Sequence, residues 1–403
     1  MLRMATVFLL VLAAAGSATA QENGEPDPAT VRMRIGPLYL NPRLELANLG
    51  VDSNVFNQPA DQNPKRDFTF TITPTTDIWM RLGPSWLKAS VREDIVWFQK
   101  YTSERSANET FSLNWHLPLN RFVLDVSPTY LSTRERPGFE IDTRSQRTEY
   151  GGKAAAEVRG LSKTFVGVFG GYKKVNFAGD AVFLGTNLRD ELNRTETAAG
   201  ISVRHQLTPL TTLTFNVAQE QDRFEFSSLR DSNSTSAGVT VSFDPHALIR
   251  GSASFGYRDF HPRSTGLPDY VGATAIGDLS YTLLGATRFS VRFKRDISYS
   301  YDINQPYYLE TGVSGEIAQQ IFGPFDLVGR AGTSTLAYRD RAGVFIADVN
   351  RVDYIHSYGG GIGYHLGRDI RIGFNIDQQH RISDALGHQY DGLRYGTSVT
   401  YAF

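Results

Sequence analysis

The side chains best suited to acid–base chemistry in this 403-residue chain are His380, His388 and Asp384. They flank one expected loop. An imidazole beside a carboxylate is what a lipase or protease needs to activate a nucleophile. Such a pair counts as a site only if its members converge, and ordinary solvated loop polarity accounts for them more simply. The other histidines, His116, His205, His246, His261, His356 and His365, are scattered, and there is no Cys. Closely spaced Cys/His metal ligands are therefore absent, and no cofactor is expected. Gly359-Gly360-Gly361-Ile362-Gly363 has the glycine density of a phosphate cradle, but it follows no βα unit. Within a strand, glycines permit bending or close approach instead. Asn108-Glu109-Thr110 and Asn193-Arg194-Thr195 match the three-residue glycosylation acceptor pattern, which by itself is uninformative.

The charges are balanced, with 41 Lys+Arg against 42 Asp+Glu. No basic stripe is present, so nucleic acid is not expected as a partner. Arg3, an apolar run over residues 7–15 and Ala18-Thr19-Ala20 form a signal-peptide pattern over residues 1–20. Residues 21–35 are expected to be a flexible periplasmic leader, polar and carrying Pro26 and Pro28. No later apolar run approaches the roughly 20 residues that a membrane helix requires.

From residue 36 to 403 the texture is uniform and alternating. Phe68, Phe70 and Ile72 oppose Thr69, Thr71 and Thr73, and Phe111, Leu113 and Trp115 oppose Ser112, Asn114 and His116. Phe289, Val291 and Phe293 oppose Arg288, Ser290, Arg292 and Lys294. Ile370, Ile372, Phe374 and Ile376 oppose Arg371, Gly373, Asn375 and Asp377. Strand side chains alternate between faces, so each segment carries one apolar and one polar face. About 18 such segments begin near Leu38, Asp67, Trp86, Asn108, Phe122, Gln146, Phe165, Leu192, Thr212, Thr235, Leu248, Tyr270, Arg288, Tyr308, Asp326, Val352, Ile370 and Gly392.

Every second connection is short, as at Leu82-Gly83-Pro84-Ser85, Leu117-Pro118-Leu119-Asn120, Gly160-Leu161-Ser162, Leu207-Thr208-Pro209-Leu210, Asp244-Pro245-His246, Leu283-Leu284-Gly285, Phe322-Gly323-Pro324 and Leu366-Gly367-Arg368. The intervening ones are longer and polar, as around residues 57–66, 134–144, 180–189, 259–268 and 339–350. This pattern predicts an all-β, transmembrane, antiparallel up-and-down barrel with both termini periplasmic.

A barrel of this size leaves an aqueous lumen. Its inward set is expected to include Arg43, Glu45, Lys88, Arg92, Asp94, Arg250, Arg258, Arg292, Lys294, Arg371 and Asp377. Such a lining is mixed in sign and suits polar or weakly charged solutes. Trp79, Trp86, Trp97 and Trp115 are expected in the interfacial girdles. Glu93 falls on an apolar face between Val91 and Ile95. That requires an interfacial position, a partner or a slip of register.

The chain ends on an alternating strand. Arg394, Gly396, Val399, Tyr401 and the terminal Phe403 resemble the C-terminal assembly signal of bacterial outer-membrane proteins. The resemblance implies the barrel-assembly machinery as a partner and outer-membrane lipid as the surroundings. Near the start, the strand that begins Gly36-Pro37-Leu38 runs into Asp52, Ser53, Asn54, Val55 and Phe56. This segment resembles the opening of the outer-membrane β-barrel porin family associated with exopolysaccharide export loci. The resemblance implies a conduit for secreted polysaccharide, working with a periplasmic polysaccharide-export protein. On physical grounds alone, Asp52 and Asn54 serve equally as turn formers. The expectation is thus a non-enzymatic conduit, with a general or solute-specific diffusion porin as the alternative and a barrel enzyme as the least favoured reading.

Overall fold

The computed structural model describes residue 26 and residues 31–245, 247–385 and 387–402. The expected signal peptide, most of the leader, His246 and Phe403 lie outside the described residues. The strands are β1 (Met33–Ile35), β2 (Leu38–Asp52), β3 (Asp67–Leu82), β4 (Ser85–Phe98), β5 (Ser106–Pro118), β6 (Phe122–Glu135) and β7 (Ser145–Leu161). Next come β8 (Thr164–Phe177), the short pair β9 (Val182–Phe183) and β10 (Thr186–Asn187), β11 (Arg194–Thr208), β12 (Thr211–Phe224) and β13 (Ser232–Phe243). The chain finishes with β14 (Ile249–Pro262), β15 (Tyr270–Leu283), β16 (Thr287–Tyr299), β17 (Tyr307–Gln320), β18 (Phe325–Arg339), β19 (Val352–Leu366), β20 (Ile370–Ile382) and β21 (Tyr390–Ala402). One five-residue helix, α1 (Leu188–Leu192), sits in the loop after β10.

Each long strand pairs antiparallel with its neighbours in the chain, and β8 pairs with β11 across the inserted β9–β10 hairpin. The ring closes where β2 pairs with β21, from Arg43 opposite Ala402 to Asp52 opposite Arg394. The result is a closed antiparallel barrel of 18 strands, all but β1, β9 and β10. Each begins within three residues of the position that alternation assigns. Leader residues 33–35 depart from expectation. They form β1 and pair with β2 instead of remaining flexible.

The closing seam needs local adjustments. The register of β2 shifts between Leu46 and Leu49, where Asn48 takes φ 54°. Asn tolerates this left-handed conformation better than most residues. A side chain at Gly50 would put its Cβ 2.0 Å from the carbonyl oxygen of Tyr395, so the bulged strand closes on glycine. The short turns use their residues in the ordinary way. Gly83 takes φ 61° ahead of Pro84, as a tight hairpin with glycine at its first central position requires.

The outer face is an apolar belt. Val168, Ile201, Phe215, Val217, Phe255, Val313, Ile317, Ile362, Phe374 and Ile376 are all exposed. A surface of this kind is a liability in water and an ordinary outside in lipid. Glu93 faces outward without any slip. The ladder between β3 and β4 keeps one register on both sides of Pro74, which has no N–H to donate. Glu93 stands opposite Glu109, and the row continues through Ser132, Thr148 and Asn176. The adjacent row is Val91, Phe111, Tyr130 and Tyr150. Glu93 therefore belongs to a polar row bordering an aromatic one, as at a belt edge.

The tryptophans divide. Trp97 shares the outward face with Val91 and Ile95, and Trp115 shares one with Phe111. Trp79 and Trp86 face inward, so they are not girdle residues. Trp79 lies opposite Lys88 and Trp86 opposite Arg81, each ring beneath that cation.

The two faces give a direct test. Val217→Arg puts a charge on the lipid side at mid-strand and is expected to cost about 2–4 kcal/mol. Asn216→Arg, one residue away on the wet face, should stay near wild type. Urea unfolding from lipid vesicles measures both.

Candidate functional site

The candidate site is the lumen, and its wall is built by the inward half of every strand. The eleven expected lumen residues lie on the strand faces opposite the exposed apolar ones. Arg43 and Glu45 lie on β2. Arg92 and Asp94 on β4 are joined at 2.7 Å. Lys88 lies 5.5 Å from the Trp79 ring centre. Arg250 faces inward at the start of β14. Arg258 binds Glu220 at 2.7 Å and Asp296 at 3.1 Å. Arg292 meets Asp278 at 2.9 Å, and Lys294 meets Glu310 at 2.7 Å. Arg371 grips Asp326 through two nitrogens, and Asp377 accepts from Arg330 at 2.8 Å.

Alternation identified these positions but not their partners. Glu220, Asp278, Asp296, Glu310, Asp326 and Arg330 come from other strands. So do further pairs such as Lys173–Glu196 and Arg204–Glu157. Through the middle of the barrel, cations are thus largely neutralised by carboxylates on neighbouring strands. Several of these pairs are buried, Arg258 with Glu220 and Asp296 and Arg371 with Asp326 among them, so the desolvation of each ion offsets much of the attraction. Their larger effect is to leave a wet lining with little net field.

The glycine run in β19 has a structural task. Gly359, Gly361 and Gly363 face inward beneath the side chains of β20. An added Cβ would come 2.0 Å from Asp377 Oδ1, 2.3 Å from Asn375 Oδ1 and 2.3 Å from Arg371 Nη2. The bare backbone lets these side chains cross β19 and reach Arg330 and Asp326 on β18. The run is a clearance track and no phosphate cradle.

At the long-loop end, loops pack into the lumen. The connection at residues 136–144, between β6 and β7, crosses the lumen toward the far wall, where β16 to β20 lie. Phe139 packs against Tyr308, Leu336, Tyr338 and Ile355. Glu140 accepts from Ser300 Oγ at 2.6 Å and Tyr301 N at 3.2 Å. Ile141 joins a cluster with Val175, Phe177, Phe183, Leu188 and Leu192 on the other side, which ties in α1 and the β9–β10 hairpin.

Two further contacts anchor the crossing loop. Arg381, fully buried, donates to the carbonyl of Phe139 at 2.8 Å and to Asp142 at 3.1 Å. Its other nitrogen binds Asp353, which Arg351 also holds. From the first long loop, the carbonyl of Val55 accepts from Arg136 at 2.7 Å and Arg144 at 2.9 Å. The segment that resembled an export-family opening lies in this anchor. Asn54 N donates to Asp52 Oδ1, Asp52 pairs with Arg394, and Asn54 Nδ2 holds the carbonyls of Gln58 and Asp391. Its turn-forming role is therefore visible. Ser53 N donates to the Leu393 carbonyl, and Phe56 stacks edge-on with Tyr101.

The hairpin of β16 and β17 also leans into the mouth. The β15–β16 ladder ends at Ala275 opposite Arg295, while β16–β17 pairing continues to Tyr299 opposite Tyr307. Beyond the last shared rung both faces of the tip are covered. Ile297, Tyr307 and Leu309 pack on Phe260 and Tyr270, and Tyr308 faces the Phe139 cluster. Arg230, 1% exposed, seals this tip by donating to the carbonyls of Ser300, Tyr301 and Pro306.

Burial sets the protonation here. It pushes the Glu140 carboxyl up to about 7, against the opposing pull of Ser300, Arg351 and Arg381. Burial, with Arg351 and Arg381 nearby, drives His388 down to about 3.

The expected acid–base pair does not assemble. His380 is on the outside of the barrel against Asp391. His388 is buried inside and stacks against Tyr301. Asp384 is exposed in the loop between them. The sequons are closed as well. Asn108 is 3% exposed and accepts from Arg134 N, and Asn193 is 5% exposed and accepts from Phe177 N.

A family model described as "Putative beta-barrel porin 2" matches residues 25–403. Among solved structures, OccK9 (OpdG) of Pseudomonas aeruginosa is 11% identical, with 90% of this chain and 98% of that chain covered and a TM-score of 0.47. OccAB4 of Acinetobacter baumannii is 10% identical, covers 94% and 100%, and scores 0.46. A BenF-like porin from Pseudomonas fluorescens Pf-5 is 11% identical, covers 91% and 98%, and scores 0.46. No curated protein matches.

The anchor of the crossing loop yields two expectations. Arg381→Ala leaves Asp353 and Asp142 short of a buried partner, a loss of about 3–5 kcal/mol. The loop should release, and protease should cut within residues 136–144 while the barrel stays folded. Glu140, with its pKa raised from 4.5 to about 7, leaves the packed loop unaffected at low pH. As pH climbs through that window the released loop ionises first, so packing weakens, and the loss levels off above about 7. Glu140→Gln should flatten that slope in protease susceptibility.

Proposed function

Because this chain belongs to the "Putative beta-barrel porin 2" family, we propose that it is a diffusion channel for small polar solutes. It is a porin-like β-barrel of the bacterial outer membrane, as the family and the apolar belt of a closed 18-strand sheet establish. The short turns, the start of β2 and the end of β21 share one end of the barrel. We place that end in the periplasm and the long loops outside, as barrels of this class are generally arranged. Residues 1–20 act in this reading as an export signal. Arg394, Gly396, Val399, Tyr401 and Phe403 act as the mark for the assembly machinery.

The observation that carries the proposal is the loop at residues 136–144, anchored across a lumen whose central charges are paired. Eighteen strands enclose a water-filled interior. The crossing loop narrows it, and paired wall charges leave little net field to select a small solute by sign. A polymer would have to displace Phe139, Glu140 and their buried partners. Secretion of exopolysaccharide with a periplasmic export partner is accordingly the weaker reading, since the turn-forming role of residues 52–56 accounts for that segment without any cargo.

Proteoliposomes carrying the purified chain should swell in isotonic monosaccharide and resist swelling in long maltodextrins. Removing residues 137–143 should raise single-channel conductance severalfold. A deletion strain should keep its surface polysaccharide. Loss of that polysaccharide, with no solute flux in liposomes, would reverse the order of the two readings.

A further inference from the structure

The pairing of charges that holds through the lumen stops at the short-turn mouth. Arg81 is in the last two residues of β3, Arg121 lies in the turn after β5, Arg159 is near the end of β7 and Lys163 lies in the turn that follows. Arg288 begins β16, and Arg368 lies in the turn after β19. None of these six forms an ion pair among the described residues. Arg81 donates only to the Gly83 carbonyl. Of the carboxylates near this level, Asp77 accepts from Ser90 Oγ and has no cation partner among the described residues, and the others are engaged. Asp125 holds His116, Glu157 holds Arg204, Asp326 holds Arg371, and Asp369 holds Arg32. Asp244 has an interaction of its own. The rim therefore carries a surplus of unneutralised cations spread around the ring.

One of them stands at a cavity. Arg159, Arg204, His116, Gln206, Thr212 and Ser242 line a space of about 230 Å³, alongside Asp244 and Phe165. Arg159 and Arg204 lie 5.2 Å and 4.0 Å from the centre of the Phe165 ring. Arg204 is already neutralised by Glu157, and His116 is hydrogen-bonded to Asp125, while Arg159 keeps its donors. A planar guanidinium with free donors beside neutral hydroxyl and amide groups matches an oxyanion.

We infer that the short-turn mouth is an anion-collecting vestibule, and that Arg159 with its neighbouring cavity is the subsite where a small carboxylate or phosphate pauses. This rests on the channel reading above and specifies its substrate class. Low-dielectric walls focus the field of such a rim and raise the local anion concentration. The central lumen, being balanced, then passes what the rim has gathered.

The test uses the full-length chain in planar bilayers under a KCl gradient. The wild type should prefer chloride over potassium by about threefold at low salt. The preference should fade at about 1 M, where the screening length is only about 3 Å. The triple change Arg81→Gln, Arg159→Gln, Arg288→Gln should abolish it, and Lys65→Gln in a long loop should not. Added inorganic phosphate should reduce chloride current in the wild type and not in Arg159→Gln. Acetate in place of phosphate separates a carboxylate preference from a phosphate one. Heat-modifiable mobility on gels confirms that each variant is folded. A conducting wild type without anion preference, or a triple variant that keeps it, overturns the vestibule and leaves the channel standing. A folded protein with neither conductance nor solute flux overturns both.

Discussion

A backbone in hydrocarbon has no water to bond, so every N–H and C=O in the lipid-facing band must find its partner within the sheet. Much else in this protein follows from meeting that condition. An open edge is not tolerable there, and β2 must reach β21 even though its register needs a bulge to do so. Asn48 and Gly50 bear the local strain of that closure, and Gly396 lies directly beneath. Closure in turn fixes an inside and an outside. The same alternation that provides Val217 and Phe374 for lipid delivers Arg258 and Arg371 to the lumen.

Those inward charges face a narrower problem. A ring of strands brings many arginines and carboxylates into one water-filled space, where like charges would repel and unpaired ones would require solvation. The solution is lateral pairing, from strand to neighbouring strand, and across a strand where glycine clears the way. Gly359, Gly361 and Gly363 let Asp377, Asn375 and Arg371 bridge from β20 to β18. At the long-loop end the pairing becomes buried. Arg381, Asp353 and Asp142 pin the loop that crosses the lumen, while Phe139 and Ile141 fill the space to either side. A wide barrel is thereby reduced to a restricted one by a connection that contributes no strand.

The strand count and the starts of the strands were legible in the sequence, because a period of two is local. The short turns were legible for the same reason, since Gly83 and Pro84 declare the hairpin themselves. Glu93 looked like an error of register and proved to be part of a polar row. That row exists only when five strands are placed side by side. Trp79 and Trp86 looked like girdle residues because composition gives no facing, and their parity with Lys88 and Arg81 sends them inward.

His380, His388 and Asp384 were near one another in the chain and end on the outside, the inside and the surface. Residue 140 carried no sequence signal at all. Its importance arises from meeting Ser300 and Tyr301, 160 residues or more along the chain. Alternation, turn residues and apolar faces thus determined by themselves that this chain is a barrel with a polar interior, because each is a property of neighbours in sequence. What fills that interior, which charges cancel and which remain at the rim were decided only by the tertiary structure. They depend on contacts made across a closed ring, between segments that the sequence keeps far apart.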